Sequence, residues 1–354
     1  MSGRLLVVAP SWIGDCVCTQ PLLARLIERE PGLQIDVFAP AWVAPVFERM
    51  PQVREILHNP FGHGKFDFAG RRRRGRELAG RYARAMVLPN SWKSALLPFF
   101  ARVPERTGFV GEARYGLLTR CHKLDEQATP QLAERYAQLA EAPGARPPLP
   151  LPALGFTRDA GAEAATLAAL DLPAGGGQVV FCPGAEYGEA KRWPPIYFAE
   201  LAQKFARPGA PVLLLGSAKD APVGAEIEQV AAGAARNLCG STNLAQALDL
   251  IATARLAVSN DSGLMHVAAA FGTPLVALYG SSSPNYTPPL SARARVLWTH
   301  PECSPCFKRT CPLGHFRCMI DLSPTIVGRA AEELLHADAA GTASLIPIHD
   351  PQPT

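Results

Sequence analysis

The sequence predicts an α/β fold in two successive units, each built around a mostly parallel sheet. Three observations point there. Short apolar runs alternate with helix-length segments, the pattern of strands buried on both faces beneath helices. A stretch rich in Pro, Gly and Ala, residues 142–152, separates an earlier set of these runs from a later one. The length, 354 residues, is enough for two domains with hydrophobic cores.

Taken in order, Leu5-Leu6-Val7-Val8 reads as a buried strand. A turn over residues 10–14 leads to a helix over residues 16–28, in which Pro21 is tolerated only near the first turn. Residues 35–38 form the second strand, 43–50 a short helix before Pro51, 82–88 a further strand and 94–100 a helix. The second unit opens with a helix over 157–170. Strands follow at 179–181, 212–215, 256–258 and 275–279, and an amphipathic helix at 324–336. The expected boundaries are 1–155, 156–336 and a loose tail over 337–354.

Composition narrows the classes. With 48% hydrophobic and 19% charged residues the chain is globular, and a net charge of +4 does not by itself indicate a nucleic-acid partner. No apolar run approaches the roughly 20 residues of a membrane span, and the N-terminal apolar run is too short for a secretory signal. The expected compartment is cytoplasmic, where the nine cysteines are reduced or metal-bound. No Gly-x-Gly-x-x-Gly follows a strand and no phosphate-loop motif occurs, which argues against a dinucleotide site and a P-loop ATPase.

The chemistry gathers around Asn260-Asp261-Ser262-Gly263-Leu264-Met265-His266. A short helix starts there between two strands, capped by Asp261 or Ser262 and ended by Gly272. Its first N–H groups, from Ser262, Gly263 and Leu264, suit a phosphate, and the same pattern suits an ordinary cap. Asp261 would repel a diphosphate, so it caps the helix or binds a sugar hydroxyl. His266 shares a face with Ser262 and reads equally as a donor to phosphate or a buried structural histidine. Lys191 follows a loop opened by Pro183-Gly184-Ala185 and offers a compact cation; a surface lysine reads the same way. Asp15 lies at the turn from the first strand to the first helix, where a general base and a helix cap are both open readings. Loops at 216–220 and 238–242 suit a nucleoside.

Residues 71–76 hold five arginines around one glycine, a solvated face or an anion-binding surface. Cys303, Cys306, Cys311 and Cys318, with His315 among them, fall within sixteen residues; they can hold a structural zinc or remain free thiols.

Four stretches carry a resemblance: residues 9–15 (Ala-Pro-Ser-Trp-Ile-Gly-Asp), 88–95 (Leu-Pro-Asn-Ser-Trp-Lys-Ser-Ala), 182–194 and 260–270. In order and kind they resemble the lipopolysaccharide heptosyltransferases of glycosyltransferase family 9, over nearly the whole chain to about residue 335. The resemblance implies the GT-B architecture, two Rossmann-like domains facing a central cleft, with the acceptor on the first and ADP-heptose on the second. It implies an inverting transferase that moves L-glycero-D-manno-heptose onto the first heptose of the lipopolysaccharide inner core. Transfer onto Kdo, and epimerisation of a nucleotide sugar, are the alternatives. Gly14-Asp15 matches the family's catalytic position. Lys191, Asp261, Ser262, Gly263, Leu264 and His266 are then expected at the donor, and Arg71, Arg72, Lys93, Arg106 and Arg114 at the acceptor. No cofactor is expected for catalysis: no Asp-x-Asp metal motif occurs in the chain, which suggests that protein charge and helix dipoles replace the metal. The expected partners are ADP-heptose and an acceptor at the cytoplasmic face of the inner membrane, with no nucleic acid.

Overall fold

The computed structural model describes residues 3–61 and 66–339. The chain divides into two compact units, Met1–Leu154 and Gly155–Thr354. Each unit holds one six-stranded, all-parallel sheet.

In the first unit the strands are β1 (Arg4–Val8), β2 (Gln34–Ala39), β3 (Val53–His58), β4 (Arg84–Val87), β5 (Glu105–Phe109) and β6 (Arg120–His122). Their order is β3-β2-β1-β4-β5-β6. The helices are α1 (Ile13–Cys18), α2 (Gln20–Arg29), α3 (Ala44–Glu48), α4 (Phe68–Glu77), α5 (Leu96–Phe100) and α6 (Leu132–Gln138). In the second unit the strands are β7 (Val179–Cys182), β8 (Val212–Leu214), β9 (Ala235–Asn237), β10 (Leu256–Asn260), β11 (Leu275–Tyr279) and β12 (Ala294–Trp298). Their order, β12-β11-β10-β7-β8-β9, repeats that of the first sheet. The helices are α7 (Ala160–Ala169), α8 (Pro195–Phe205), α9 (Ala221–Val230), α10 (Leu244–Thr253), α11 (Gly263–Phe271), α12 (Arg317–Ile320) and α13 (Pro324–Ala339).

This topology positions the sites. In each sheet the chain runs outward one way from the unit's first strand, then returns to run outward the other way. The reversal falls between β1 and β4, and between β7 and β10. Loops leaving the carboxyl ends of those strands diverge and leave a crevice, the place where open α/β sheets bind ligands. The central strands can lie there because helices cover both faces. Leu5, Leu6, Val7, Val179, Val180, Phe181, Leu256, Ala257 and Val258 are all buried, each large one contributing about 1.5–3 kcal/mol.

The structure departs from the sequence reading in several places. The helix expected over 16–28 is two helices, broken at Thr19. The Thr19 hydroxyl and N–H both donate to the Cys16 carbonyl and close the first helix, and Pro21 sits in the first turn of α2, where its missing N–H costs nothing. The helix expected over 94–100 begins as a 3₁₀ turn, Trp92–Ala95, and residues 41–43 form another ahead of α3. Five strands, β3, β5, β6, β9 and β12, were not anticipated. Residues 337–339 continue α13 rather than joining the tail; the rest of the expected tail, 340–354, lies outside the described residues. Among the described residues no helix is long and apolar enough to cross a membrane.

Candidate active site

In the second unit the loop after β7 and the loop after β10 meet. Asn260, the last residue of β10, clamps them. Its Nδ2 donates to the Pro183 carbonyl at 2.8 Å, and its Oδ1 accepts from the Trp193 N–H at 3.1 Å. Trp193 is fully buried and donates its indole N–H to the Leu322 carbonyl. The segment between the two clamp points is thereby fixed at both ends, and it carries Lys191. Gly188 lets this segment approach the backbone near Arg309, since a Cβ at that position would lie 2.4 Å from the Arg309 carbonyl oxygen.

Lys191 Nζ lies 2.5 Å from Asp261 Oδ2, and both side chains are largely shielded from solvent. Asp261 is therefore the lysine's partner and does not cap α11. Ser262 occupies the cap position with no side-chain bond to the helix, because its hydroxyl faces Ser259 at 3.2 Å. The first N–H groups of α11 therefore lack the usual side-chain acceptor. Gly272 ends the helix in the left-handed conformation at φ 66°, as its position predicts. His266 is buried. Burial pushes its imidazole down to about 4; the Asp261 carboxylate opposes this shift and the Lys191 ammonium adds to it. It is neutral at pH 7, with Nδ1 unpaired among the described residues.

Several supporting residues carried no signal of their own in the sequence. The Tyr187 ring lies 5.3 Å from Lys191 Nζ and 5.2 Å from the Arg309 guanidinium, and its hydroxyl donates to the Phe307 carbonyl. Buried Asp220 accepts from the Ser217 N–H and hydroxyl and lies 3.9 Å from Arg192. It ties the loop after β8 to the Lys191 segment. Asn260 and Tyr187 lie in motifs already singled out; Arg309 lies inside the cysteine segment, where only the fold reveals its neighbour.

In the first unit Asp15 lies in the first turn of α1, after β1. Burial raises its carboxyl to about 6, partly offset by the backbone N–H of the residue itself. α1 has Trp12 at its cap position, so Asp15 is not the cap. The loop after β4, on the other side of the switch point, carries Asn90, Trp92 and Lys93. Buried Arg114 holds it: Nη1 donates to the Pro89 carbonyl at 2.6 Å and the Ser94 hydroxyl at 3.2 Å, and Nη2 to the Phe109 carbonyl at 2.5 Å. The Glu112 carboxylate also accepts from the Trp92 N–H.

The acceptor candidates therefore divide. Arg114, read as an acceptor contact, is fully buried and bonded within its own unit. Arg106 likewise donates to the carbonyls of Leu117 and Val103. Arg71 is buried, stacked on Phe61 and directed at the Lys93 carbonyl. These three fix loops. Arg72 is exposed and Lys93 half-buried, and both keep their charged groups available.

Cys303, Cys306, Cys311 and Cys318, read as either a structural zinc site or free thiols, stand as free thiols in this structure. Among the described residues no three His, Cys, Asp or Glu side chains gather as metal ligands. Cys318 packs into the hydrophobic core, and burial together with the thiols of Cys303, Cys306 and Cys311 pushes it to about 11. Those three are only half-buried. The segment braces the Lys191 loop through backbone, with the Ala190 N–H donating to the Arg309 carbonyl, and it is tied to the loop after β11 by the Phe307 N–H, which donates to the Ser281 carbonyl.

The sequence profile of glycosyltransferase family 9 (heptosyltransferase) matches residues 71–317. The chain is 46% identical over 343 residues to lipopolysaccharide heptosyltransferase 2 of Salmonella typhimurium, covering 94% of this chain and 97% of the relative. Lipopolysaccharide heptosyltransferase 1 of Pseudomonas aeruginosa is 28% identical over 348 residues, covering 90% and 91%. The solved structure of the Escherichia coli ADP-heptose lipopolysaccharide heptosyltransferase II superposes with a TM-score of 0.83 at 43% identity, covering 95% of this chain and 99% of that one. A profile spanning more than half of the chain, a relative of this identity over nearly its full length, and two sheets of the same strand order lead to one conclusion: the chain belongs to glycosyltransferase family 9, the heptosyltransferases.

Proposed function

We propose that this glycosyltransferase moves L-glycero-D-manno-heptose from ADP-heptose onto the first heptose of the lipopolysaccharide inner core, with inversion. The carrying observation is the Lys191 ammonium held beside a helix N-terminus that no side chain caps. A cation and a set of outward N–H groups fit a diphosphate whose negative charge grows as it leaves.

The proposed chemistry is a single displacement. The ionised Asp15 carboxylate takes the proton from the acceptor hydroxyl. That oxygen bonds to the anomeric carbon from the face opposite ADP, and the bond from that carbon to the diphosphate oxygen breaks. ADP departs with the bonding pair. Lys191 and the N–H groups of Gly263 and Leu264 stabilise it, and neutral His266 adds a hydrogen bond. Asp261 positions the ammonium and leaves its other N–H bonds for phosphate oxygens. Arg72 and Lys93 contact acidic groups of the acceptor, on a lipid-anchored substrate at the cytoplasmic face of the inner membrane. In this reading Lys191 and the helix N–H groups take the place of a divalent cation at the diphosphate, and activity in EDTA is the expected outcome.

The stronger likeness to the heptosyltransferase 2 relatives favours a heptosylated acceptor over bare Kdo. The test is ADP release from ADP-heptose in EDTA, with Kdo-lipid A that carries or lacks its first heptose. Release that requires the heptosylated acceptor is the expected result. Release only with the heptose-free acceptor would make this the enzyme of the preceding step. Release with neither would reject the donor or the acceptor.

A further inference from the structure

The first unit exposes an aromatic ladder beside an arginine-rich helix, and of the two the proposed reaction uses only Arg72. The rings run in contact from Trp92 to Phe66 (5.9 Å between centroids), Phe66 to Phe68 (6.2 Å), Phe68 to Phe100 (5.2 Å) and Phe100 to Phe99 (5.5 Å). Trp92, Phe66, Phe68 and Phe99 are each between 39% and 58% exposed. Contiguous aromatic exposure of this kind marks an interaction surface rather than scattered surface apolarity.

The charge beside it is mostly positive. Arg72, Arg73 and Arg76 on α4 and Arg102 after α5 are exposed, and none has an acidic partner among the described residues. The nearby acids are occupied: Asp67 caps α4 through the Gly70 N–H at 2.7 Å, and Glu77 pairs with Arg74 at 2.8 Å. Arg72, Arg76 and Arg102 line an open groove with Phe99 and Phe100. Unpaired guanidinium groups with aromatic rings among them match the interface of an anionic bilayer, where phosphates face the arginines and rings lie at headgroup depth. The ladder starts at Trp92, in the loop after β4, beside the strand that leads to Asp15.

We infer that this face, α4 with the Phe66–Phe99 ladder, docks the enzyme on a bilayer rich in anionic phospholipid. The inference rests on the reading of the acceptor as lipid-anchored, since it would seat the loop after β4 at the surface that displays that acceptor. Arginines with accessible rings also suit single-stranded RNA, whose bases stack on such rings; here the rings pack on one another at 5.2–6.2 Å, which leaves no gap for a base between them and favours lipid.

The test is co-sedimentation of the full chain with vesicles, without substrates. Equimolar phosphatidylethanolamine and phosphatidylglycerol is compared with phosphatidylcholine. Binding should be selective for the anionic vesicles and fall as salt rises. R73E/R76E should weaken it by at least about tenfold, and F66S/F99S should weaken it with less dependence on salt. Transfer to a water-soluble acceptor stripped of acyl chains should stay near wild type in both variants, which reads the transfer reaction separately. Equal binding to both vesicle types, no binding, or unchanged binding by folded variants would overturn the inference. RNA binding that exceeds vesicle binding and is lost in R73E/R76E would also overturn it. Should one of the two variants not fold, the other, read in the same assay, still decides.

Discussion

At the scale of single residues, burial sets the pH behaviour. A carboxyl raised to about 6 is ionised enough to act as a base at neutral pH and still binds a proton tightly. The rate kcat/KM should therefore rise through about pH 6 and level above it, read from initial rates of ADP release. The same burial has a stability consequence. Asp15 binds its proton more tightly in the folded state, so its contribution is favourable below the unfolded pKa and is lost as pH rises through about 6. Asp15→Asn should raise Tm at pH 8 and leave it unchanged near pH 3.5, by thermal melts at both values. His266 shifts the other way, so its contribution is present above its ordinary value and lost as pH falls toward about 4. Lys191 and Asp261 form a shielded pair, and removing one partner leaves the other buried and uncompensated. Lys191→Met should cost about 3–5 kcal/mol of stability and roughly 10²–10³ in kcat. Adding Asp261→Asn should restore stability but not turnover, as measured by denaturant unfolding beside steady-state kinetics.

At the scale of elements, the site depends on clamps that hold loops at sheet edges. Asn260→Ala leaves the Pro183 carbonyl and the Trp193 N–H without their buried partner. It should cost roughly 2–4 kcal/mol and raise KM for the donor, which calorimetric binding of ADP would register. Arg114→Lys cannot reproduce a planar guanidinium bonded to several acceptors. It should raise KM for the acceptor while donor binding stays unchanged. Equal losses toward both substrates would assign Arg114 to folding alone. These elements also show what the sequence could and could not disclose. The central strands were legible because they are continuous apolar runs. β3 was not, because Val53, Glu55 and Ile56 are all half-buried and give no clean alternation. β5 begins with Glu105 and Arg106 and contains Gly108, and β6 has only three residues. Helix breaks such as Thr19 arise from one hydroxyl bond and leave no periodic trace.

At the scale of the whole molecule, the chain uses one topology twice. The repeated strand order puts Asp15 and the Trp92 loop at one switch point, and Lys191 and the start of α11 at the other. The motifs marked these positions because each falls at the end of a legible strand. Partnerships across long separations stayed hidden: Lys191 with Asp261, 70 residues apart, and Asn260 with Pro183, 77 apart. Arginine usually reads as a surface residue, so the buried role of Arg114 could be found only from packing. The most direct test of the account compares wild type with Asp15→Asn, measuring both ADP-heptose affinity and acceptor-dependent transfer. The account predicts affinity within a few fold of wild type and a loss of about 10²–10⁴ in turnover; a variant that keeps most of its turnover would contradict it.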